Sequence, residues 1–185
     1  ITAFTKLTEI DNVNLVMDWG TPTSGAIAPL VDQKKIPFIA GSYTTTLTDQ
    51  SQYAVRAWNE PSMLAEKDWE YLRSKGIKKI GILKTNIAYF NDILSGLEKS
   101  KKSDEEVTVI DTFQFGDSDF KTSIEKIKNS DIQMVGVFLV SGQISRFYRQ
   151  SVEMNLNVTT FGTDFFEDNS EIESAQGLMN GAVYP

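Results

Sequence analysis

Short apolar runs alternate with helical patterns from one end of this chain to the other, and that alternation restricts the fold more than anything else in the sequence. The apolar runs are Asn14 to Met17, Ile36 to Ala40, Tyr53 to Trp58, Lys79 to Leu83, Val107 to Phe113, Met134 to Val140 and Val158 to Phe161, with Leu178 to Tyr184 as a further strand. Between them lie helical segments: Ile1 to Ile10, the stretch after Thr21, Met63 to Lys75, Phe90 to Lys101, Phe120 to Lys128 and Ile144 to Met154. Runs of four to eight apolar residues read as strands, and apolar residues at three- and four-residue spacing read as helices. Strands that alternate with helices across short links build parallel sheets covered on both faces, so the expected class is α/β.

The most informative stretch is Asn14 to Pro29, NLVMDWGTPTSGAIAP, where a strand runs straight into a helix start. Proline favours the first helical position because its missing N–H is a donor that a helix start leaves unpaired anyway, which makes Pro22 the opening residue and Thr21 the N-cap. Met17, Ile27, Leu30 and Val31 form an apolar stripe expected in the core. A helix that begins at the carboxyl end of a parallel strand aims unpaired N–H groups into the crevice where α/β sheets hold ligands, a place that favours an anion. The plainer alternative is that Thr21 only caps its own helix. Lys34-Lys35 closes the helix with positive charge, and the next strand ends in the polar loop Gly41 to Thr46. Neighbouring parallel strands end side by side, so the hydroxyls of that loop are expected beside Gly20 and Thr21.

Composition removes several classes. The 185 residues suffice for one large domain or two small ones, with a domain change near Asn59, and 41% hydrophobic with 23% charged residues fits an ordinary globule. A net charge of −7 without a basic block argues against nucleic acid or an anionic membrane as partner. The densest basic run, Lys99 to Lys102, is followed at once by Asp104 to Glu106 and reads as a solvated helix end. With neither cysteine nor histidine there are no disulfides, thiolate nucleophiles, imidazole bases or Cys/His metal sites. Phosphate-loop and dinucleotide glycine motifs are absent, as are repeats, low-complexity tracts, signal-peptide patterns and apolar runs of membrane-spanning length. The chain opens on Ile1, already in a helical rhythm that sets Ile1, Phe4 and Leu7 on one face, so a piece of a longer polypeptide is expected.

In the second half the loops that follow strands are Thr85 to Tyr89, Val140 to Gln143 and Thr163 to Asp168. Tyr89 offers a ring and a hydroxyl, the combination that closes over a small ligand; packing is its ordinary alternative. Asp164 follows a strand and precedes Phe165-Phe166, so its carboxylate sits beside apolar rings and gains from an incoming ammonium. N-capping of the next turn is the alternative. Asp164, Glu167 and Asp168 lack calcium-loop spacing, so no metal and no cofactor is expected.

With those residues in place, the chain resembles the type I periplasmic solute-binding proteins, in particular the leucine/isoleucine/valine-binding receptors of ABC transporters. The stretches that carry the resemblance are GTPTSGAIAPLVDQKKIPFIAGSYTTTLT, YAVRAWNEPSMLAE, KKIGILKTNIAYFNDILSGLEK, FGDSDFKTSIEKIKNSDIQMVGVFLVSGQISRFYRQSVEMNL and FGTDFFEDNSEIESAQGLMNGAVYP. The resemblance covers essentially the whole chain but only the middle of the family. It implies two α/β lobes with parallel sheets flanked by helices and a small solute clamped between strand ends, with residues 1–58 as part of lobe one and 59–185 as most of lobe two. A lobe-one surface that the family covers would then be exposed.

The resemblance places the carboxylate-binding loop on Gly20 and Thr21 with Trp19 alongside, and a second loop on Ser42, Tyr43 and Thr44. It places the lobe-two tyrosine on Tyr89 and the ammonium-binding acid on Asp164, where amino-acid receptors generally carry Glu. A further aromatic position falls near Val140 or Ser141, where this chain has no ring. The implied protein is a non-enzymatic receptor for an amino acid or similar small carboxylate. Its partner is an ABC-transporter permease rather than nucleic acid, and its location is periplasmic or extracellular, free or lipid-anchored. The shorter acid and the missing ring leave amides, urea and aromatic acids open as ligands. A ligand-sensing module of a signalling receptor or regulator is the competing role, and an enzyme built on carboxylates or tyrosine is a third.

Overall fold

The structure is a computed structural model that describes residues 1–185, with Gln50 described through its backbone only. The chain divides into two compact units, Ile1–Glu60 and Pro61–Pro185.

The first unit runs α1 (Thr2–Glu9), β1 (Val16–Trp19), α2 (Thr21–Lys34), β2 (Phe38–Gly41), α3 (Thr46–Gln50), β3 (Ala54–Arg56). Its strands are parallel in the order β1-β2-β3, with Trp19 opposite Gly41 and Phe38 opposite Ala54. In α2 the buried residues Ser24, Ile27, Ala28 and Val31 repeat at three- and four-residue intervals, which lays one helix face on the sheet. They meet Val16, Phe38, Ala40 and Ala54 from the strands, with Phe4 and Leu47 completing the cluster.

Several sequence expectations change here. The first strand is Val16–Trp19 rather than Asn14 to Met17, which puts Met17 on the face opposite Val16, where it is 61% exposed instead of in the core; Leu30 is only partly buried. Neighbouring strand residues point to opposite faces, and the face that α2 covers is the one Val16 occupies. The sheet is covered on one face only, since Val55 is also exposed, at 59%. In α1 only Phe4 is buried, and Ile1, Leu7 and Ile10 face outward. The expected strand Tyr53 to Trp58 shrinks to Ala54–Arg56, and a short helix, Thr46–Gln50, begins at the last residue of the expected polar loop Gly41 to Thr46.

The second unit runs α4 (Pro61–Ser74), β4 (Lys79–Thr85), α5 (Ala88–Ser100), β5 (Glu106–Phe113), α6 (Lys121–Lys128), β6 (Met134–Phe138), α7 (Ile144–Glu153), β7 (Thr159–Gly162), a 3₁₀ turn (Asp164–Glu167) and α8 (Asn169–Ala175). The parallel order is β5-β4-β6-β7. Residues 80–85 and 134–138 are all buried, as expected of central strands with helices on both faces. One face sends Leu83, Val135 and Val137 against Ile124 and Ile127 of α6 and Phe147 of α7. On the other, Phe138 packs against Phe90 of α5 and edge-on against Phe161. The Trp69 indole N–H donates to the Leu97 carbonyl at 2.9 Å and joins α4 to α5, whose backbones approach so closely that a Cβ on Gly96 would collide with Ala65.

Buried in α4, Asp68 has no hydrogen-bond partner for its Oδ2 among the described residues, and burial pushes its carboxyl well above the usual range. The expected strand Leu178 to Tyr184 is a series of turns with a single bridge from Val183 to Phe161.

Candidate functional site

In the first unit the carboxyl ends of β1 and β2 lie side by side. Gly20 donates its N–H to the Gly41 carbonyl at 3.0 Å, and its φ of +139°, in the region that favours glycine, turns the chain from strand into helix. The N-cap is therefore Gly20, and Thr21 is the first helical residue rather than the cap. Its hydroxyl does not cap α2: the Thr21 Oγ1 accepts from the Ser42 hydroxyl and the Tyr43 N–H, each at 3.3 Å. Ser42 is fully buried, and its Oγ accepts the Thr44 N–H at 3.3 Å. The Thr44 hydroxyl meets that of Thr46 at 2.9 Å. Thr21, Ser42, Tyr43 and Thr44 thus form one hydrogen-bonded group at two strand ends. Among the described residues the N–H groups of Thr21 and Thr23, which open α2, have no acceptor.

Two residues that the sequence reading did not single out hold this group. Asp18 accepts the Thr23 hydroxyl at 2.6 Å and the Ser24 hydroxyl at 2.8 Å, which ties the first turn of α2 back to β1. Arg56 donates to the carbonyls of Tyr43 at 3.1 Å and Trp58 at 3.3 Å, which fixes the loop after β2. Trp19 is 61% exposed, and its ring meets Trp58 edge-on at 4.7 Å.

In the second unit Thr85 lies in β4 rather than in a loop. Its hydroxyl donates to Gln143 Oε1 at 2.6 Å, while Gln143 Nε2 donates to the carbonyls of Gln114 at 2.8 Å and Asp117 at 3.1 Å. This buried amide binds the ends of β4, β5 and β6 into one platform. Tyr89 sits in the first turn of α5 with its ring near Phe90 and Phe165, and its hydroxyl donates to Asp164 Oδ1 at 2.9 Å. Thr163, not Asp164, caps the following turn, accepting the Phe165 N–H at 3.3 Å. That leaves the Asp164 carboxylate free of a capping role. It is half-buried, and among the described residues no Lys or Arg pairs with it. Burial pushes its carboxyl above the usual aspartate range, while the Tyr89 hydroxyl pulls it back and nearby Glu167 adds to the rise.

The structure brings Tyr89 and Asp164 together, and it does not bring Ser141 to them. The Ser141 hydroxyl donates to Asp168, which in turn accepts the Ser170 N–H at 2.8 Å. Beside it the buried Glu171 of α8 accepts the Gly142 N–H and, at 2.6 Å, the Ser145 N–H, so a distant carboxylate caps α7. No short-range motif carries such a cap, which is why Glu171 is invisible in sequence. Among the described residues no group of three acidic side chains is placed to hold a metal ion, and no helix is long and apolar enough to cross a membrane.

Two parallel α/β units with polar groups at their strand ends match the type I periplasmic-binding-protein fold. The chain belongs to the periplasmic binding protein family, whose model matches residues 1–184. No curated protein matches it. Among solved structures it is similar to an ABC-transporter solute-binding protein from Rhodopseudomonas palustris in complex with 3,4-dihydroxybenzoic acid, at 26% identity and a TM-score of 0.73 over 89% of this chain and 47% of that one. It is also similar to the branched-chain amino acid transporter substrate-binding protein LivJ from Streptococcus pneumoniae in complex with isoleucine, at 21% identity and a TM-score of 0.82 over 95% and 51%. A branched-chain amino acid ABC transporter protein from Thermus thermophilus with bound valine gives 16% identity and a TM-score of 0.80 over 98% and 48%. The chain spans about half the length of these structures.

Proposed function

We propose that this chain is the solute-recognising part of an extracytoplasmic, non-enzymatic receptor that delivers an amino acid or similar small carboxylate to the permease of an ABC transporter. The observation that carries the reading is Asp164: a half-buried carboxylate at a strand end whose side chain meets a phenol and no cation. A buried charge without a counter-ion is costly, and an ammonium arriving with a solute supplies the counter-ion. In this reading Asp164 takes the ammonium and Tyr89 covers the side chain. Gly20, Thr21, Ser42 and Thr44 of the first unit take the carboxylate, with Trp19 and Tyr43 beside them. Lobe one then corresponds to the first unit and lobe two to the second.

Hydrogen bonds to charged groups contribute about 1.5–3 kcal/mol each, so three or four offset the ordering costs and reach micromolar affinity, near −8 kcal/mol. The relatives that hold isoleucine and valine support this solute class. The relative that holds 3,4-dihydroxybenzoic acid supports a second reading, in which a phenolic hydroxyl of an aromatic acid donates to Asp164.

Titration calorimetry of the full-length protein against the common amino acids and a set of hydroxybenzoates tests both. An amino acid is expected to bind at micromolar concentration, with Asp164→Asn weakening it at least tenfold. Because ammonium pairing needs ionised Asp164 and its carboxyl titrates above the ordinary aspartate value, affinity falls on acidification earlier than for a solvated aspartate. Heat from a hydroxybenzoate alone selects the second reading. No heat from any solute, or unchanged affinity in Asp164→Asn, overturns the mechanism.

A further inference from the structure

Tyr89 and Asp164 meet although the strands they follow are not neighbours. Tyr89 comes after β4 and Asp164 after β7, and in the order β5-β4-β6-β7 the end of β6 lies between them. Hydrogen-bonded strands lie about 4.8 Å apart, which separates these two strand ends by about 10 Å, so the 2.9 Å bond from the Tyr89 hydroxyl to Asp164 has to bridge the turn Val140 to Gln143 that follows β6. How the flanking segments fasten to that turn sets whether the two side chains reach each other.

On the β4 side the fastening is the buried Gln143, whose Oε1 accepts the Thr85 hydroxyl at 2.6 Å. The Thr85 carbonyl accepts the Ile87 N–H at 2.8 Å, just ahead of the turn of α5 that carries Tyr89. On the β7 side the fastening is a pair of carboxylates. Glu171, 3% exposed, accepts the Gly142 N–H with Oε1 and the Ser145 N–H with Oε2, and Asp168 accepts the Ser141 hydroxyl. No Lys or Arg follows Arg149 in the chain, and among the described residues none pairs with Glu171. A buried carboxylate is costly unless it is paired or hydrogen-bonded, so Glu171 is held where unpaired N–H groups open α7.

From Asp164 to Glu171 the chain is one hydrogen-bonded run. The Phe166 N–H returns to the Thr163 carbonyl at 2.9 Å, the Asp168 N–H to the Phe165 carbonyl at 3.3 Å and the Glu171 N–H to the Asp168 carbonyl at 3.0 Å. Phe166 anchors the run so close to Gly162 that a Cβ there would meet its ring at 2.3 Å. A displacement at Glu171 is passed along this run to Asp164.

We infer that Glu171 is a positioning residue for the strand-end group: its carboxylate ties the segment after β7 to the turn after β6 and so brings Asp164 within reach of the Tyr89 hydroxyl. A solute then meets a carboxylate whose place is already fixed, which lowers the ordering cost of binding; that consequence alone rests on the receptor reading.

The Asp164 carboxyl reports on the bond without any solute, because the Tyr89 hydroxyl lowers its titration midpoint; Glu167 and Thr163 of its own segment are the other side chains that act on it. The test is a pH titration of the Asp164 carboxyl carbon by ¹³C NMR in the full-length protein, with and without Tyr89→Phe, in the presence and absence of Glu171→Gln. With Glu171 intact, Tyr89→Phe is expected to raise the midpoint; with Glu171→Gln it is expected to move it by about half as much or less, the mark of coupling between the two sites. A mere loss of stability leaves that ratio unchanged in the folded protein. A rise of which more than half survives Glu171→Gln overturns the assignment, as does a midpoint that Tyr89→Phe never moves. Should Glu171→Gln fail to fold, Ser141→Ala, which removes the companion bond to Asp168 at an exposed residue, is expected to diminish the rise, and an undiminished rise overturns the assignment. No solute enters the measurement, so its failure is separate from failure of the receptor reading.

Discussion

The first unit's sheet keeps one face bare, whereas the second unit's is covered on both, and their strands differ accordingly. In β6 every residue is buried, so an unbroken apolar run records two covered faces; β1 alternates, with Val16 inward and Met17 outward. Yet Met17, Trp19 and Val55 are apolar residues on a face open to solvent. The comparison teaches that in these short strands hydrophobicity marks the sheet, while burial of a given side chain is decided by register and by what lies above it.

The largest test of that contrast is a pair of truncations. Ile82→Ala, at a fully buried position, is expected to cost about 2–5 kcal/mol in urea unfolding, and Met17→Ala about 0.5 kcal/mol or less. Equal costs would break the comparison. Next comes Glu171→Gln, which removes the charge from the carboxylate that caps α7; a loss of about 1–3 kcal/mol is expected, with hydrogen exchange accelerating at Gly142 and Ser145.

Asp68 sharpens the picture of the covered unit in the opposite direction. Its carboxyl is raised in the fold, so the protonated form is favoured there. Its effect on stability is harmless below the unfolded value near 4 and becomes a penalty as pH rises through the folded value. Asp68→Asn is therefore expected to stabilise the protein near pH 7 and to lose that advantage on acidification toward pH 4, which urea titrations at several pH values would read out. The smallest effect belongs to the bare-faced unit: Thr21→Val forfeits two hydrogen bonds of 3.3 Å, for a loss of about 1 kcal/mol.

The elements legible in the sequence were those whose own residues fix them. KIGIL and MVGVF admit little besides buried strands, and Gly20 with Pro22 admits little besides a helix start. Details set by partners distant in sequence were not legible. Thr21 gives its oxygen to the next strand's loop instead of its own helix because Ser42 and Tyr43 lie within reach only after β1 and β2 pair. Ser141 faces Asp168, and Glu171 caps a helix that begins 27 residues earlier, at Ile144, through contacts with no local pattern. At Leu178 to Tyr184 the apolar residues suggest a strand, but Gly181 with φ +88° and the turn bonds of Asn180 and Ala182 interrupt it. For the site, residue chemistry marked Tyr89 and Asp164 as candidates, and the fold sets their 2.9 Å bond.

The three tryptophans are distributed so that each unit reports on itself. Trp19 and Trp58 meet edge-on in the first unit with Trp19 open to solvent, while Trp69 is wholly enclosed in the second with its N–H on a carbonyl. Their emission consequently separates by colour, a red-shifted quenchable pair against a blue-shifted protected fluor, and acrylamide distinguishes the melting of one half of the chain from that of the other without any label.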